Sequence, residues 1–337
     1  GCRCLSYFNH ISPLVMQHRE NILALENWLS LQTIGQKKLI KRLLMALLAD
    51  GHLLVEGAPG LAKTKAIKTL AELIEGGFHR IQFTPDLLPS DITGTEIYRA
   101  QEGTFEFQQG PIFHNLILAD EINRAPAKVQ SALLEGMGER QVSFGRQTFT
   151  LPDLFLVMAT QNPIEQEGTY PLPEAQLDRF LMHVNIDYPD AASERNILQL
   201  VRGEAMTNSV NESHRPPQVS QQTIFGARQE LLHLHMAPVV EEYMVQLTMA
   251  TRTPEAYGED LANWLDFGAS PRGTIALDLC ARANAFLLGK DFVSPDDVQA
   301  VLHDCFRHRI IVSFEAEATG ITPDQVLDTV LQRVAAT

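Results

Sequence analysis

The sequence predicts an α/β fold in which a doubly wound parallel sheet is followed by an all-α domain. Short apolar runs alternate with helical patterns as far as Tyr188-Pro189, and such alternation is typical of a parallel sheet covered by helices. A glycine-rich segment lies between the first apolar run and the helical pattern after it. Beyond Pro189 the patterns are mainly helical.

The strands are predicted from short apolar runs at residues 52–56, 80–84, 116–121, 154–160 and 180–184. Before the first of them, residues 36–48 place Leu39, Leu43, Leu44 and Leu47 on one face of a helix. Pro126 begins a later helix, at a position where the missing N–H costs no hydrogen bond. Strands and helices therefore follow one another in the order that a parallel sheet requires.

Two stretches of alternating polar and apolar residues interrupt this order. One surrounds Glu102-Gly103 and the other surrounds Gly145. Alternation on both sides of a glycine-containing turn predicts a β-hairpin. We therefore predict a first domain over residues 1–190, with an N-terminal helix and two inserted hairpins, and a helical domain over residues 191–337.

Composition and charge narrow the class of protein. The chain has 337 residues, 45% of them hydrophobic, and a net charge of −14. This length favours about two domains, and no apolar stretch approaches the ~18 residues that a membrane span needs. The acidic balance argues against a dedicated nucleic-acid binder, because the binding surface of such a protein is basic.

The cysteines and the N-terminus favour a reducing compartment. Cys2, Cys4, Cys280 and Cys305 do not form the pattern of a disulfide framework or of a metal finger. The first residues lack the charged and then apolar layout of a secretory signal. We therefore expect a cytoplasmic protein.

A phosphate-binding loop is predicted at Gly57-Ala58-Pro59-Gly60-Leu61-Ala62-Lys63-Thr64, between the first strand and the next helix. Its glycines can turn successive N–H groups toward phosphate oxygens, and the helix N-terminus that follows favours anions. Lys63 would reach the β- and γ-phosphates, and the Thr64 hydroxyl would bind Mg²⁺. Ala62 stands where the strict pattern has glycine, but alanine tolerates helical backbone angles. The alternative for this segment alone is an ordinary Gly/Pro turn.

Two acids end the third predicted strand. Asp120 and Glu121 follow an apolar run, and a buried parallel strand delivers such side chains to the edge of its sheet. Asp120 would hold the Mg²⁺ water shell, and Glu121 is the candidate general base for the attacking water. This pattern is weak evidence alone, but together with the lysine loop it predicts an ATP site.

The order of these signals resembles the AAA+ ATPases, and within them the MoxR family, over nearly the whole chain. The resemblance is carried by residues 57–64, by Leu118-Ala119-Asp120-Glu121-Ile122-Asn123-Arg124-Ala125-Pro126, by Ala159-Thr160-Gln161-Asn162-Pro163, and by Leu172-Pro173-Glu174-Ala175-Gln176-Leu177-Asp178-Arg179-Phe180. The last two segments are the most specific, because ATPases in general lack the sequence Glu-Ala-Gln-Leu-Asp-Arg-Phe found at residues 174–180. The hairpins fall where this branch has its helix-2 insert and pre-sensor-1 hairpin, and alanine at position 62 is usual in the family.

The resemblance implies roles for further residues. Ile34 lies in a segment similar to the family's adenine-side segment. Asn162 resembles sensor 1, which orients the attacking water together with Glu121. Arg179 resembles the arginine finger, which acts on the ATP of the neighbouring subunit. Arg272 resembles sensor 2, which touches the nucleotide of its own or of an adjacent subunit.

Structural alternatives remain open for some of these residues. The alternative for Asn162 is a turn cap before Pro163, and the alternative for Arg179 is an ion pair with Asp178 or Glu174. Arg124 is a candidate for a further contact between subunits. A solvated helix face is expected for the basic residues Lys37, Lys38, Lys41 and Arg42.

The resemblance also implies cofactors and partners. It implies a Mg²⁺-dependent ATPase that assembles into a homo-oligomeric ring, expected to be a hexamer, with active sites between subunits. MoxR proteins are associated with chaperone-like maturation of client proteins, often with a partner that has a von Willebrand A domain. The alternatives are a motor subunit similar to that of magnesium chelatase and a nucleotide-gated scaffold that hydrolyses ATP poorly. A DNA-remodelling motor ranks below them because of the acidic charge.

Overall fold

The computed structural model describes residues 13–58, 63–163, 168–207 and 215–336. The strands of the α/β half are β1 (Leu53–Glu56), β2 (Phe78–Gln82), β3 (Gly94–Arg99), β4 (Thr104–Gln109), β5 (Leu116–Asp120), β6 (Gln141–Phe144), β7 (Gln147–Thr150), β8 (Leu156–Gln161) and β9 (Met182–Asn185). Each predicted sheet strand is present, with its ends within two residues of the prediction.

One parallel sheet of five strands has the order β2-β5-β8-β1-β9. Strand β8 pairs in parallel with β5 and β1, and the outer strands β2 and β9 also pair in parallel with their neighbours. After β1 the chain crosses to the far edge at β2, returns through β5 and β8, and ends at β9 on the other side of β1. The predicted doubly wound parallel sheet is therefore confirmed, and the carboxyl ends of its strands share one edge.

Side chains of each strand alternate between two hydrophobic cores. In β1, Leu53 and Val55 belong to the larger core, and Leu54 belongs to the smaller one. Strands β5 and β8 follow the same rule, with Leu116, Leu118, Leu156 and Met158 in the larger core and Ile117, Ala119, Val157 and Ala159 in the smaller one. This period of two is that of strands buried on both faces. It fixes the register, because a slip of one residue would exchange the two sets.

Helices cover both faces of the sheet. The larger core is covered by α1 (Pro13–Gln32), α2 (Lys37–Leu48) and α3 (Lys63–Leu73), and the smaller core by α4 (Pro89–Thr93) and α5 (Ala127–Glu139). The short helix α6 (Glu174–Leu177) precedes β9. The predicted helix over residues 36–48 is therefore α2.

The prediction of a solvated basic face on α2 was wrong for Arg42. This residue is 8% exposed, and its Nε donates to Asp304 Oδ2 at 2.6 Å while its Nη2 donates to the Ala300 carbonyl at 2.8 Å. A buried guanidinium is tolerated because charged and polar acceptors satisfy its donors. Both acceptors belong to the C-terminal half of the chain.

The two predicted hairpins are present and share aromatic contacts. Strands β3 and β4, and strands β6 and β7, form antiparallel pairs, with Gly103 and Gly145 at positive φ in their turns. Phe107 of β4 stacks on Phe149 of β7 with ring centroids 4.4 Å apart, and it lies 5.1 Å from the ring of Phe144. The hairpins therefore form one joint surface unit.

Beyond β9 the described elements are mainly helical. They are α7 (Ala191–Thr207), α8 (Gln221–Leu232), β10 (His235–Met236), α9 (Pro238–Arg252), α10 (Glu259–Trp264), β11 (Leu265–Phe267), α11 (Pro271–Leu287), β12 (Phe292–Val293), α12 (Pro295–Phe306), β13 (Ile311–Val312), α13 (Phe314–Ala318) and α14 (Pro323–Arg333). In the part of the chain that the structure describes, no helix combines the length and the apolar character of a membrane span. The division into two domains at residue 190 stays a prediction.

His52, the residue before β1, is buried between the sheet and α5. Its Nδ1 accepts a hydrogen bond from the Val157 N–H at 3.0 Å, and its ring meets that of Phe155 edge-on at 5.3 Å. Burial, with a smaller contribution from Arg140, lowers the pKa of His52 from 6.5 to about 3. The folded chain therefore keeps this imidazole neutral over a pH range in which the unfolded chain protonates it.

We expect the free energy of unfolding to fall as the pH drops from about 6.5 toward about 3, because only the unfolded chain protonates His52 there. At about pH 5 this residue should account for about 2 kcal/mol of the loss. Urea titrations at about pH 5 and about pH 7.5 measure the effect. His52→Gln is the control, since its amide oxygen can accept from Val157 and does not titrate. An equal loss in wild type and variant would contradict the assignment.

Candidate nucleotide-binding site

Side chains predicted for ATP chemistry meet at the carboxyl edge of the sheet. Gly57 follows β1, Asp120 ends β5 and Asn162 follows β8, and these three strands are neighbours in the sheet. Lys63 begins α3 and contacts both Gly57 and Asn162. The parallel topology alone therefore places the predicted cation, acid and amide together.

Lys63 is the buried cation of this cluster. Its Nζ donates to the Gly57 carbonyl oxygen at 2.9 Å and to Asn162 Oδ1 at 3.2 Å. Burial lowers the pKa of Lys63, while the charges of Asp120 and Glu121 act in the opposite direction. An ammonium group has three donors, so the two bonds within the described residues leave one for an incoming anion.

Asp120, at the end of β5, accepts hydrogen bonds from the side chains of two residues. Its Oδ1 accepts from the Thr160 hydroxyl at 2.7 Å, and its Oδ2 accepts from Arg80 Nη2 at 2.5 Å. Thr160 is 1% exposed, and its hydroxyl oxygen also accepts from the Glu121 N–H at 3.0 Å. One buried hydroxyl on β8 therefore binds the carboxylate of Asp120 and the backbone of Glu121.

Glu121 leaves the strand in the left-handed backbone region, with φ 53° and ψ 55°. This conformation is uncommon outside glycine and is concentrated at functional sites. Its Oε2 lies 3.6 Å from Arg124 Nη1, and both side chains are partly exposed. Such an ion pair contributes little free energy, so the carboxylate can leave Arg124 and bind another partner at a small cost in free energy.

The segments predicted for the phosphate and adenine sides border the stretch that leads from β9 into the helical half. A Cβ on Gly57 would lie 2.4 Å from Ile186 Cγ1, so close packing excludes a side chain there. Ile34 is half-buried in the turn before α2, and a Cβ on Gly35, the next residue, would lie 3.2 Å from Pro189 Cβ.

Part of the predicted phosphate loop, Pro59, Gly60, Leu61 and Ala62, lies outside the described residues, as do Cys2 and Cys4. Ala58, just before the gap, and Thr64, the second residue of α3, are both half-buried. The roles predicted for these loop residues and for Thr64 therefore stay predictions.

Arg179 does not join the cluster around Lys63. It lies between α6 and β9, and its Cζ would be 3.6 Å from a Cβ built on Gly138 near the end of α5. The same end of α5 reaches the start of β1, because Arg140 Nη2 donates to Asp50 Oδ1 at 2.7 Å. Arg179 therefore lies at the amino edge of the sheet, opposite the edge at which Gly57 and Lys63 lie.

Asp178, the residue before Arg179, contacts two other arginines. Its Oδ1 accepts from Arg309 Nε at 2.8 Å, and its Oδ2 accepts from the Ser270 hydroxyl at 2.9 Å and lies 3.9 Å from Arg272 Nη1. Within the described residues, Arg179 forms no ion pair with either of its two candidate acids. Arg272, near the start of α11, thus also lies at the amino edge of the sheet.

Sequence reasoning missed three residues of these arrangements, namely Arg80, Thr160 and Arg309. Arg80 had a signal, because a charged residue inside a predicted strand needs a partner. Thr160 had a weaker one, as a hydroxyl near the carboxyl end of an otherwise apolar strand. Arg309 had none, because its partners in the segment 178–181 lie 128 to 131 residues away in the chain.

Comparisons with known proteins agree with this geometry. Residues 52–182 match the ATPase family associated with various cellular activities (AAA), and residues 262–330 match an AAA lid domain. Chaperone MoxR1 of Mycobacterium tuberculosis is 48% identical over 309 residues, which cover 90% of this chain and 78% of that protein. The chain belongs to the MoxR family of AAA+ ATPases.

Two further matches also cover most of the chain. Protein YeaC of Bacillus subtilis is 40% identical over 301 residues, which cover 89% of this chain and 90% of that protein. A crystal structure from Cytophaga hutchinsonii is 45% identical and superposes with a TM-score of 0.86, covering 96% of each chain. The predicted MoxR-family membership and the AAA+ fold with a helical lid are thus confirmed.

Proposed function

We propose that this MoxR-family protein binds ATP with Mg²⁺ and hydrolyses it to ADP and phosphate. The observation that supports the proposal most is the position of Lys63, whose Nζ lies between the Gly57 carbonyl and Asn162 Oδ1. Asp120 and Glu121 lie near enough for their charges to act on its pKa. The cluster thus combines a cation for phosphates, an amide for a water, and acids for a metal ion and a proton.

Thr64 and Asp120 are the residues that would hold Mg²⁺. Hydroxyl and carboxylate oxygens are the hard ligands that this ion prefers, and it commonly needs few protein ligands because it keeps several waters. Asp120 is already oriented by the Thr160 hydroxyl. When bound, the ion would neutralise charge on the phosphates.

Glu121 would accept the proton of the attacking water, and Asn162 would orient that water. The Glu121 backbone is anchored on Thr160, and its left-handed conformation turns the residue away from the line of β5. A carboxylate can take a proton at neutral pH and an amide cannot. The two residues therefore divide the roles of base and of positioning group.

Arg179 and Arg272 would act on the ATP of the neighbouring subunit in a ring, expected to be hexameric. Both arginines lie near Asp178 at the amino edge of the sheet, whereas Lys63 lies at the carboxyl edge. Helix α5 has 13 residues and runs between these edges, a length of about 20 Å. An arginine side chain cannot bridge that distance, so catalysis by either one requires a second subunit.

The output of this ATPase would be chaperone-like remodelling of client proteins in the cytoplasm, with a partner that has a von Willebrand A domain. The name of the relative chaperone MoxR1 supports the first part. The joined hairpins expose Tyr98 and Phe105, at 56% and 66%, which would suit contacts with protein clients. The net charge of −14 disfavours nucleic acid as a client.

Lys63→Ala should abolish nucleotide binding, because it removes the cation that faces the β- and γ-phosphates. Titration with a fluorescent ATP analogue measures this, with Lys65→Ala, an exposed lysine of the same helix, as the control. In the wild type, phosphate release per chain should rise with protein concentration as rings form. Unchanged binding by Lys63→Ala would rule out the site, and an assembled wild type without turnover would favour the nucleotide-gated scaffold.

A further inference from the structure

Arg309 is a buried arginine that binds the backbone on both sides of Arg179. It lies between α12 and β13, and its side chain is 3% exposed. Its Nη2 donates to the carbonyl oxygens of Asp178 at 3.1 Å and of Phe180 at 2.6 Å, the residues that flank Arg179. Its Nη1 donates to the Leu181 carbonyl at 3.0 Å. One guanidinium therefore fixes the segment 178–181, and we call this arrangement the Arg309 clamp.

Asp178 is the charge partner within the Arg309 clamp. Arg309 Nε donates to Asp178 Oδ1 at 2.8 Å, and Nη1 also donates to the Cys305 carbonyl at 2.7 Å. Every nitrogen of the guanidinium thus has an acceptor, as a buried charge requires. The Asp178 carboxylate also accepts from Ser270, which directly precedes α11, so the clamp joins the core segment to the start of the helix that carries Arg272.

Arg179 itself lacks such an anchor. Its Nη1 is buried and has no hydrogen-bond partner among the described residues, and its guanidinium would lie 3.6 Å from a Cβ built on Gly138. A buried donor without an acceptor contributes no favourable interaction that would hold the side chain in place. The position of this side chain therefore depends on its backbone, which the Arg309 clamp fixes.

We propose that Arg309 is a positioning residue for ATP hydrolysis in the neighbouring subunit. By holding the backbone of residues 178–181, it would determine how far the Arg179 side chain extends across the subunit interface. This inference rests on the proposed function, in which Arg179 acts on the ATP of another chain.

Arg309→Lys is the primary test variant. Lysine keeps the positive charge beside Asp178, but its three donors cannot reproduce the planar five-donor geometry. We expect kcat to fall by about 10- to 100-fold, because displacement of a reacting group by about 1 Å has effects of this size. The Kd for ATP should stay within about twofold of the wild type, since Lys63 and its partners are untouched.

Arg307→Lys is the matched control. The side chain of Arg307 is 8% exposed, and it pairs with Asp304 and Asp324 at the boundary with the lid. Its backbone partner is the carbonyl of His183 on β9 and not the segment 178–181. Its replacement should leave kcat within about threefold of the wild type.

A double-mutant cycle separates positioning from general stability. Once Arg179 is replaced by alanine, Arg309→Lys should lower kcat no further, because the side chain that it positions is gone. If the loss of kcat in the double variant equals the product of the two single losses, the proposal is overturned. If Arg309→Lys does not fold, Arg309→Gln is tested in the same cycle, because its amide can still donate to one carbonyl of the segment 178–181 and Asp178 is unchanged. In the Arg179→Ala background this variant should again cause no further loss of kcat. A double variant whose loss of kcat is the product of the two single losses would overturn the proposal.

Mixed rings assign the effect to a subunit. Arg309→Lys mixed with Lys63→Ala should regain activity, because some interfaces pair an intact phosphate loop with an intact Arg309 clamp. Arg309→Lys mixed with Arg179→Ala should stay at the level of the variants alone. If the first mixture fails while Arg179→Ala with Lys63→Ala recovers, the positioning role is wrong and the proposed function stands. If the mixture of Arg179→Ala with Lys63→Ala assembles and is also inactive, Arg179 does not act between subunits. The positioning role of Arg309 is then wrong as well.

Discussion

Glu121→Gln is expected to keep ATP bound and to slow its hydrolysis by about 10²- to 10⁴-fold. Glutamine has the shape of glutamate, but its amide cannot accept the proton of the attacking water. The bond from the backbone N–H of residue 121 to Thr160 does not involve the side chain, so the site should keep its geometry. Binding of a fluorescent nucleotide and release of phosphate at saturating ATP measure the two effects separately.

The control for this substitution is Glu135→Gln, which removes an exposed carboxylate from α5. This variant should hydrolyse ATP at a rate close to that of the wild type. If Glu121→Gln also does so, another group accepts the proton and the assignment of the general base is wrong.

Arg179→Ala is expected to bind ATP almost normally and to hydrolyse it about 10³- to 10⁵-fold more slowly. The guanidinium would neutralise charge that develops on the γ-phosphoryl group of the neighbouring subunit. The fold should tolerate the change, because Arg179 Nη1 has no hydrogen bond within the described residues that alanine would remove. Steady-state phosphate release by assembled rings measures the loss.

Mixing experiments test whether Arg179 acts between chains. Arg179→Ala and Lys63→Ala should each be nearly inactive alone. A mixed ring contains interfaces with an intact Lys63 on one side and an intact Arg179 on the other, so activity should return in part. If assembly is confirmed, the mixture stays inactive and Arg179→Ala fails even to bind ATP, then Arg179 serves the structure of its own chain.

The cluster around Lys63 was predictable because it follows from a local rule. Asp120 and Asn162 each follow an apolar run, and the carboxyl ends of parallel strands meet at one edge. Once the runs were assigned to strands, no long-range information was needed to bring these residues near Gly57. The hairpin around Gly103 was predictable for the same reason, since both of its strands lie next to their turn.

The contacts between the α/β half and the lid were not predictable from the sequence. Arg42 pairs with Asp304 across 262 positions of the chain, and Arg309 pairs with Asp178 across 131. No periodic pattern or spacing of residues in the sequence indicates such a contact. An arginine beside apolar residues has the same appearance whether its charge is in water or is neutralised in the interior. Only the packing of distant helices decides between the two.

The larger hydrophobic core continues from the sheet into the lid without a break. Leu53 of β1, Leu43 of α2, Leu277 of α11 and Val330 of α14 belong to one contiguous cluster. A chain cut at residue 190 would therefore expose the apolar side of α2, and a surface of this kind promotes aggregation. The two halves should lose their structure in one cooperative transition. Conformational change within one subunit is accordingly expected as shear, in which packed helices slide by small distances, and not as the opening of a hinge.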